Sequence, residues 1–305
     1  MEHQDQAAPE RAQEESLTPL RSMDPETSPR RSPRRLIWLL CFCALMALVV
    51  VVAVTVFLLV RPSEPLQWGG PGTTAHISEI ALGRCYSYTQ LLRSELRDKN
   101  CQEIWKAFKK AFISKNPCHV TQEDYKPLLK LANQTVPSSK SLLWSKTKDL
   151  AHQYTRVQQD MFTLEDTLLG YMADGLTWCG DPGTSDMNYQ SCPQWRGECN
   201  NSAVTVFWKT ISKNFAESAS GEVYVMLNGS AKSNGSSSEI FDKNSIFGSV
   251  EVVHLNPARV HSLQAWVIHN IGAAPKDSCS DSSIGDLRLA LSQRNIAFSC
   301  KNDHK

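Results

Sequence analysis

The 305 residues contain no Gly-x-Gly-x-x-Gly, Walker loop, His-Glu-x-x-His, Cys-x-x-Cys or Gly-x-Ser-x-Gly. The usual signatures of dinucleotide cofactors, P-loop phosphates, zinc hydrolysis, thiol exchange and serine-elbow hydrolysis are therefore missing. Charge imbalance is missing too: 32 Lys and Arg face 31 Asp and Glu, a formal net charge of +1, so there is no electrostatic case for nucleic acid. No segment repeats. His254, His261 and His269 lie seven and eight residues apart. A metal site needs better convergence than that, so they read as structural or surface histidines and no metal is expected.

Charge is also absent from Leu36 to Val60, a run of 25 residues. As a helix it would be roughly 37 Å long, enough to cross a hydrocarbon core of about 30 Å with some tilt. A secretory signal has a shorter apolar stretch and a small-residue cleavage site, so this run reads as a permanent transmembrane helix over 36–60. Arg21, Arg30, Arg31, Arg34 and Arg35 precede it, and Arg61 is the sole Lys or Arg of residues 61–80. The positive-inside tendency then puts residues 1–35 in the cytosol and 61–305 outside, a single-pass type II protein of the plasma membrane. The tail 1–35, rich in Glu, Arg, Pro and Ser, is expected to be disordered. Its arginine cluster reads as a topology signal, with anionic-lipid binding as the alternative.

What is present supports an exported location. Cys41 and Cys43 sit inside the apolar run, but Cys85, Cys101, Cys118, Cys179, Cys192, Cys199, Cys279 and Cys300 form an even set beyond it, as in disulfide-bonded ectodomains. Spacing alone leaves their pairing open. Sequons occur at Asn133, Asn200, Asn228 and Asn234.

The first half of the ectodomain looks helical. Ile104, Trp105, Phe108 and Phe112 fall on one helical face, as do Leu150, Tyr154, Val157 and Met161, and then Val204, Phe207, Trp208, Ile211 and Phe215; each reads as a core stripe. After Gly221 short β-rich runs follow at Glu222–Leu227, Ser249–Leu255 and Leu263–His269, then a helix over Asp281–Arg294 with Ile284, Leu287 and Leu291 inward, and a strand near Ile296–Ser299. Strands alternating with helices predict a small, partly parallel sheet.

Carboxylates and tryptophans are the chemistry left, a pairing suited to glycosidic cleavage, where an oxocarbenium-like centre needs a nearby anion and flat groups need rings. Thr163-Leu164-Glu165-Asp166 puts two acids at a helix start, where capping of Thr163 by Asp166 is the simpler reading. Glu251 lies between Val250 and Val252 in the run taken as a strand, where alternation would turn it to solvent. Trp144 and Trp208 would by default be core. Residues alone thus describe an anchored, disulfide-bonded ectodomain without a fixed task.

The words Gly-Pro-Gly-Thr-Thr at 70–74, Ala111–Lys115, Asp149–Gln153, Met161–Tyr171, Asn188–Pro193, Val225–Ser230 and Phe247–Val252, in that order, resemble the ADP-ribosyl cyclase family, in its membrane-anchored rather than lipid-anchored branch. The resemblance runs from Trp68 to Asn302. It implies an α+β fold, a two-lobed ectodomain with a helical lobe (61–137 and 163–219) and a small sheet lobe with helices (138–162 and 220–305), and a site in the cleft between them. It implies an ecto-NAD glycohydrolase and cyclase that breaks the nicotinamide–ribose bond of NAD to give ADP-ribose and cyclic ADP-ribose. Such an enzyme also hydrolyses cyclic ADP-ribose and exchanges bases on NADP. NAD is then substrate and no cofactor is needed.

Carried over by motif, Glu251 resembles the catalytic acid and Glu165 the acid that biases hydrolysis against cyclisation. Trp144 and Trp208 resemble the aromatic pair of the pocket, Asp174 the group that with Glu165 orients the nicotinamide amide, Asp166 a further substrate contact, and Ser145 and Ser212 contacts to ribose or phosphate. The implied disulfides are Cys85–Cys101, Cys118–Cys199, Cys179–Cys192 and Cys279–Cys300.

Four departures stand out. Ile246 replaces a family Thr near the diphosphate, and Gly175 an acid after Asp174. Ser138 and Ser220 replace two cysteines, and a C-terminal Tyr-Arg-Pro segment with a last cysteine pair is not found before Lys305. The alternative reading is a catalytically impaired cell-surface receptor or adhesion module on the same fold. A homodimer and cell-surface protein partners are compatible with either.

Overall fold

The structure is a computed structural model that describes residues 33–59, 67–194, 197–230, 239–269 and 278–303. The N-terminal stretch up to residue 32, whose disorder was expected, its arginines through Arg31, Arg61 and the sequon at Asn234 lie outside the described residues. The chain divides into a unit up to Pro65 and a unit from Leu66 onward.

The first unit is described as one helix, α1 (Pro33–Leu59). Its segment Arg34–Phe57 is long and apolar enough to cross a membrane, and Leu36, Trp38 and Phe42 are exposed. Cys41 and Cys43 are free thiols.

In the second unit α2 (Ile77–Ser87), α3 (Cys101–Lys110), α4 (Gln122–Leu131), α6 (Leu168–Ala173) and α7 (Ala203–Ser218) build a helical part, and α5 (Lys148–Gln158), α8 (Val252–His254) and α9 (Ser282–Ser292) accompany the sheet. Polar caps start these helices: Asn100 accepts from Gln102 N at 3.0 Å, Ser202 from Thr205 N at 3.2 Å and Asp281 from Ser283 N at 2.9 Å, each satisfying an orphan N–H. The short strands β1 (Gly70–Pro71) and β3 (Ser191–Cys192) pair antiparallel. The main sheet runs β2 (Leu142–Ser145), β4 (Gly221–Asn228), β5 (Val260–Ile268), β6 (Ala297–Asn302), parallel at every step, with Trp144 opposite Met226 and Met226 opposite Trp266.

The α3 stripe packs as expected: Phe108 meets Trp178 at 4.8 Å between ring centres and Trp178 meets Phe207 at 5.1 Å. Ile284, Leu287 and Leu291 of α9 are fully buried. The α5 stripe does not hold. Tyr154 packs against Trp266 and Met161 is buried, but Leu150 is 40% and Val157 78% exposed. The helix ends at Gln158, and Gln159 turns left-handed, so Met161 reaches the core from an extended segment that bridges to Ser141 instead of from the helix face.

The run Ser249–Leu255 is helical, not a strand. Phe247–Glu251 forms a wide π turn that continues into α8. Phe247, Val250, Glu251 and Leu255 are buried while Ser249 and Val253 are exposed, which is a helical and not a period-two pattern. Ser245 starts the turn by donating to Asp242 O at 2.6 Å and accepting from Gly248 N at 3.0 Å.

Four disulfides fasten the unit: Cys85–Cys101, Cys118–Cys199, Cys179–Cys192 and Cys279–Cys300, the pairs the resemblance implied. The Cys118–Cys199 link closes the longest loop, with a sequence separation of 81. Such a loop is worth about 4 kcal/mol of unfolded-state entropy. Ser138 and Ser220, standing where relatives carry cysteines, are neighbours: Ser139 N donates to Ser220 O at 2.8 Å.

Candidate active site

A cavity of about 620 Å³ collects residues from five separate stretches of chain. The end of β2 supplies Trp144 and Ser145, and the turn Leu164–Asp166 supplies Glu165. Trp208 and Ser212 come from α7, one helical turn apart, and Glu251 ends the π turn. Asp174 and Gly175, from a fifth stretch, line it too. Asp166 does not. Its carboxylate accepts from Thr163 N and from the Thr163 hydroxyl, both at 2.8 Å, completing the capping box that the sequence suggests.

Glu251 is 6% exposed. Burial pushes its carboxyl up to about 8, against a hydrogen bond from the Ser212 hydroxyl that favours the charged form, and the nearby Glu165 charge pushes it further up. The turn that carries it depends on a glycine: a Cβ on Gly248 would sit 2.5 Å from Asp242 O.

Glu165 is as deeply placed, 7% exposed, but well supplied with partners. The Trp144 indole donates from Nε1 to its Oε2 at 3.0 Å, and His152 Nε2 lies 3.3 Å from the same oxygen. The turn beneath it rests on α6 through Gly170, where a Cβ would lie 2.0 Å from Leu164 O and 2.7 Å from Glu165 Cα. Asp174 is ion-paired with Lys148 at 2.5 Å, and Arg84 donates to the Asp174 carbonyl at 2.6 Å.

Trp144 and Trp208 are partly exposed to the cavity instead of fully buried, and Trp208 stands edge-on to Phe207, with ring centres 5.4 Å apart. Ile246 lines the wall as an apolar side chain, and Gly175 (φ +68°) has open space where a side chain would project.

Lys146, Lys148, His152 and Phe215 were not singled out from sequence. Phe215 is on the α7 stripe with Trp208 and Ser212 and lines the cavity. On α5, His152, Thr155 and Arg156 form a polar face at helical spacing along a second opening, which Gln159 just past the helix end also lines. That face carried the signal which the apolar stripe concealed.

His261 is exposed, and the His254 ring bonds Val250 O at 2.7 Å. His269 bonds Ser278 Oγ through Nε2 and Asp303 Oδ1 through Nδ1, each at 2.8 Å. This Ser-His-Asp geometry joins the ends of β5 and β6. Ser278 is fully buried, so its hydroxyl offers no nucleophile. Asn133 and Asn200 are exposed, while the Asn228 amide is half-buried and donates to Lys146 O at 3.2 Å.

The model of a family described as ADP-ribosyl cyclase matches residues 74–305. The ADP-ribosyl cyclase/cyclic ADP-ribose hydrolase 1 of Mus musculus is 56% identical over 261 residues, 86% of this chain and 84% of its own length. The ADP-ribosyl cyclase/cyclic ADP-ribose hydrolase of Aplysia californica is 33% identical over 244 residues, 79% of this chain and 83% of its own. Among solved structures, porcine CD38 with a covalent intermediate, ribo-F-ribose-5′-phosphate, matches with a TM-score of 0.73 at 53% identity over 78% of this chain and 100% of that one. Aplysia cyclase with substrate NGD and product cGDPR gives 0.67 at 32% identity, over 76% and 90%. With that share of its length matched, and with the expected acids and indoles around one cavity, this chain belongs to the ADP-ribosyl cyclase family.

Proposed function

We propose that the cavity is where the nicotinamide–ribose bond of NAD breaks, with Glu251 beside the anomeric carbon. The chain is an enzyme of the ADP-ribosyl cyclase/cyclic ADP-ribose hydrolase type, and the roles of single residues are the proposal. The observation that carries it is the buried carboxyl of Glu251, poor in partners, lining with Trp144 and Trp208 a space of about 620 Å³, a size suited to a substrate of this class.

In the empty site burial keeps Glu251 largely protonated at neutral pH. The cationic nicotinamide ring favours the carboxylate when it enters, and the proton leaves to water. The C1′–N bond then breaks with its electron pair going to nitrogen, so nicotinamide departs neutral and needs no general acid. That is why one essential carboxylate serves where ordinary glycosidases use two. The Glu251 carboxylate meets the oxocarbenium centre, by ion pairing or by a covalent bond of the kind named for the porcine relative.

The intermediate is then taken by water, giving ADP-ribose, or by adenine N1, giving cyclic ADP-ribose. Nicotinic acid takes it in the exchange on NADP, and water opening the cyclic product is its hydrolysis. Glu165, with Asp174, orients the nicotinamide amide and disfavours the folded-back adenine. The indoles of Trp144 and Trp208 hold the flat rings, and Ser145 and Lys146 at the end of β2 suit the diphosphate. In this reading the unit works on the outer face of the plasma membrane, which the arginines ahead of the apolar run support, and the exposed sequons at Asn133 and Asn200 are open to glycosylation there. The receptor alternative has no support from the relatives.

The test is nicotinamide release by the full-length protein in detergent, compared with Glu251→Gln. A fall of about 10³-fold is expected when a charge facing the transition state is removed. Release unaffected by the substitution would take Glu251 out of the mechanism.

A further inference from the structure

Glu165 is exposed to two openings. Its side chain lines the reaction cavity and also a second cavity of about 660 Å³, and His152 lines only the second. His152 projects from α5 one turn beyond Lys148, its side chain 12% exposed, with Nε2 at 3.3 Å from Glu165 Oε2. That nitrogen is buried without a formed hydrogen bond among the described residues, so its approach to Oε2 is a charge contact and not a completed hydrogen bond. The Trp144 indole reaches the same oxygen at 3.0 Å. Oε2 is thus held by an indole that lines the reaction cavity and by an imidazole that does not.

We propose that His152 is a positioning residue for this reaction: by gaining or losing a proton it sets the charge and hold on Glu165, and through Glu165 the division between cyclic and linear product. The inference rests on the role assigned to Glu165 above and adds the group that governs it.

The surroundings favour a protonated ring. The Glu165 carboxylate raises the His152 pKa above the ordinary imidazole value, burial opposes it, and Asp174 and Asp166 add smaller pushes upward. The other charges nearby are largely committed. Lys148 pairs with Asp174, and Asp166 caps Thr163. Arg84 donates to the carbonyls of Met172 and Asp174, and Arg93 lies over the Phe162 ring and pairs with Glu95. Arg156, Tyr88 and Tyr171 complete the titratable lining. The second cavity, which His152 lines while it does not line the reaction cavity, gives the ring a route for its proton that does not pass the substrate.

As imidazolium, His152 neutralises Oε2 and holds it away from the reaction cavity, so Glu165 opposes the folded-back adenine less and cyclisation gains. As neutral imidazole it leaves Glu165 its full charge, and water gains. An isolated ion pair on the surface would have little influence, but here both groups are mostly shielded from solvent.

The experiment separates the products of NAD turnover chromatographically, for the full-length protein in detergent, at a series of pH values on either side of the His152 titration. In the wild type the cyclic fraction falls by about fivefold as pH rises through it. His152→Gln, a neutral donor, stays at the high-pH ratio throughout; His152→Lys, a lasting cation, stays at the low-pH ratio. Glu165→Gln shifts the ratio and removes its pH dependence even with His152 in place. A wild-type dependence that persists in His152→Gln, or a flat wild-type ratio alongside a shifted Glu165→Gln, overturns the role of His152 alone. A Glu165→Gln ratio equal to wild type overturns the role of Glu165, and that of His152 with it. Should one histidine variant fail to fold, the other and the wild-type profile still decide.

Discussion

Glu251 and Glu165 are buried to nearly the same degree, 6% and 7% exposed, in the same cavity, yet their surroundings are opposite. Glu251 has the Ser212 hydroxyl against a large desolvation penalty, whereas Glu165 is reached by an indole N–H and an imidazole. Depth alone therefore does not assign a role to a carboxyl group. A poorly solvated acid is kept from charging until a cation arrives beside it; a well-supplied one can hold a fixed orientation whatever occupies the site.

The strongest way to break this comparison is Glu251→Gln, through stability as well as rate. The Glu251 pKa rises from 4.5 to about 8 on folding. Between those values the unfolded chain has released the proton and the folded one has kept it, so stability falls as pH rises through this window. Glu251→Gln removes that loss. Thermal unfolding should show the variant more stable than wild type by a few kcal/mol above about pH 8, with the advantage vanishing toward about pH 4.5.

Gly170→Ala attacks the other acid through its support. The added carbon would meet Leu164 O at 2.0 Å, so a loss of about 1–3 kcal/mol is expected in denaturant unfolding, with a displaced Glu165 and a changed product ratio. Joining Ser138→Cys with Ser220→Cys should add about 2–4 kcal/mol under oxidising conditions without moving either carboxyl, which separates general stability from site chemistry. Ser212→Ala sharpens the contrast more finely: without its one donor Glu251 holds its proton to higher pH, and the rising limb of kcat/KM should move up by about one unit or less. Ile246→Thr, which returns a hydroxyl to the wall, should lower KM for NAD by about threefold with little change in kcat.

The helical core was legible because Trp105, Phe108 and Phe112 repeat at the period of a helix, and the parallel sheet because short apolar runs alternate with helices. The segment around Glu251 was misread because Val250, Glu251 and Val252 look like alternation, and only the exposed pair Ser249 and Val253, four residues apart, reports the helical turn. From residues alone Glu251 would have faced solvent; the resemblance pointed at it, and the turn explains its burial. His152 was hidden for a different reason. Its helix was aligned on Leu150 and Val157, which are exposed, so the face carrying the polar stripe was taken for the outside. Asp166 shows the reverse: the reading from residues, a cap, describes where its oxygens go better than the role suggested by likeness.

Gly170 and Gly248 each leave a main-chain oxygen touching main chain beneath one of the two acids. Each support is thus as thin as two backbones in contact, and any side chain at the glycine would push it apart. Variation at these two positions would therefore act on the acids through the main chain, whereas the residues that surround the acids act on them directly.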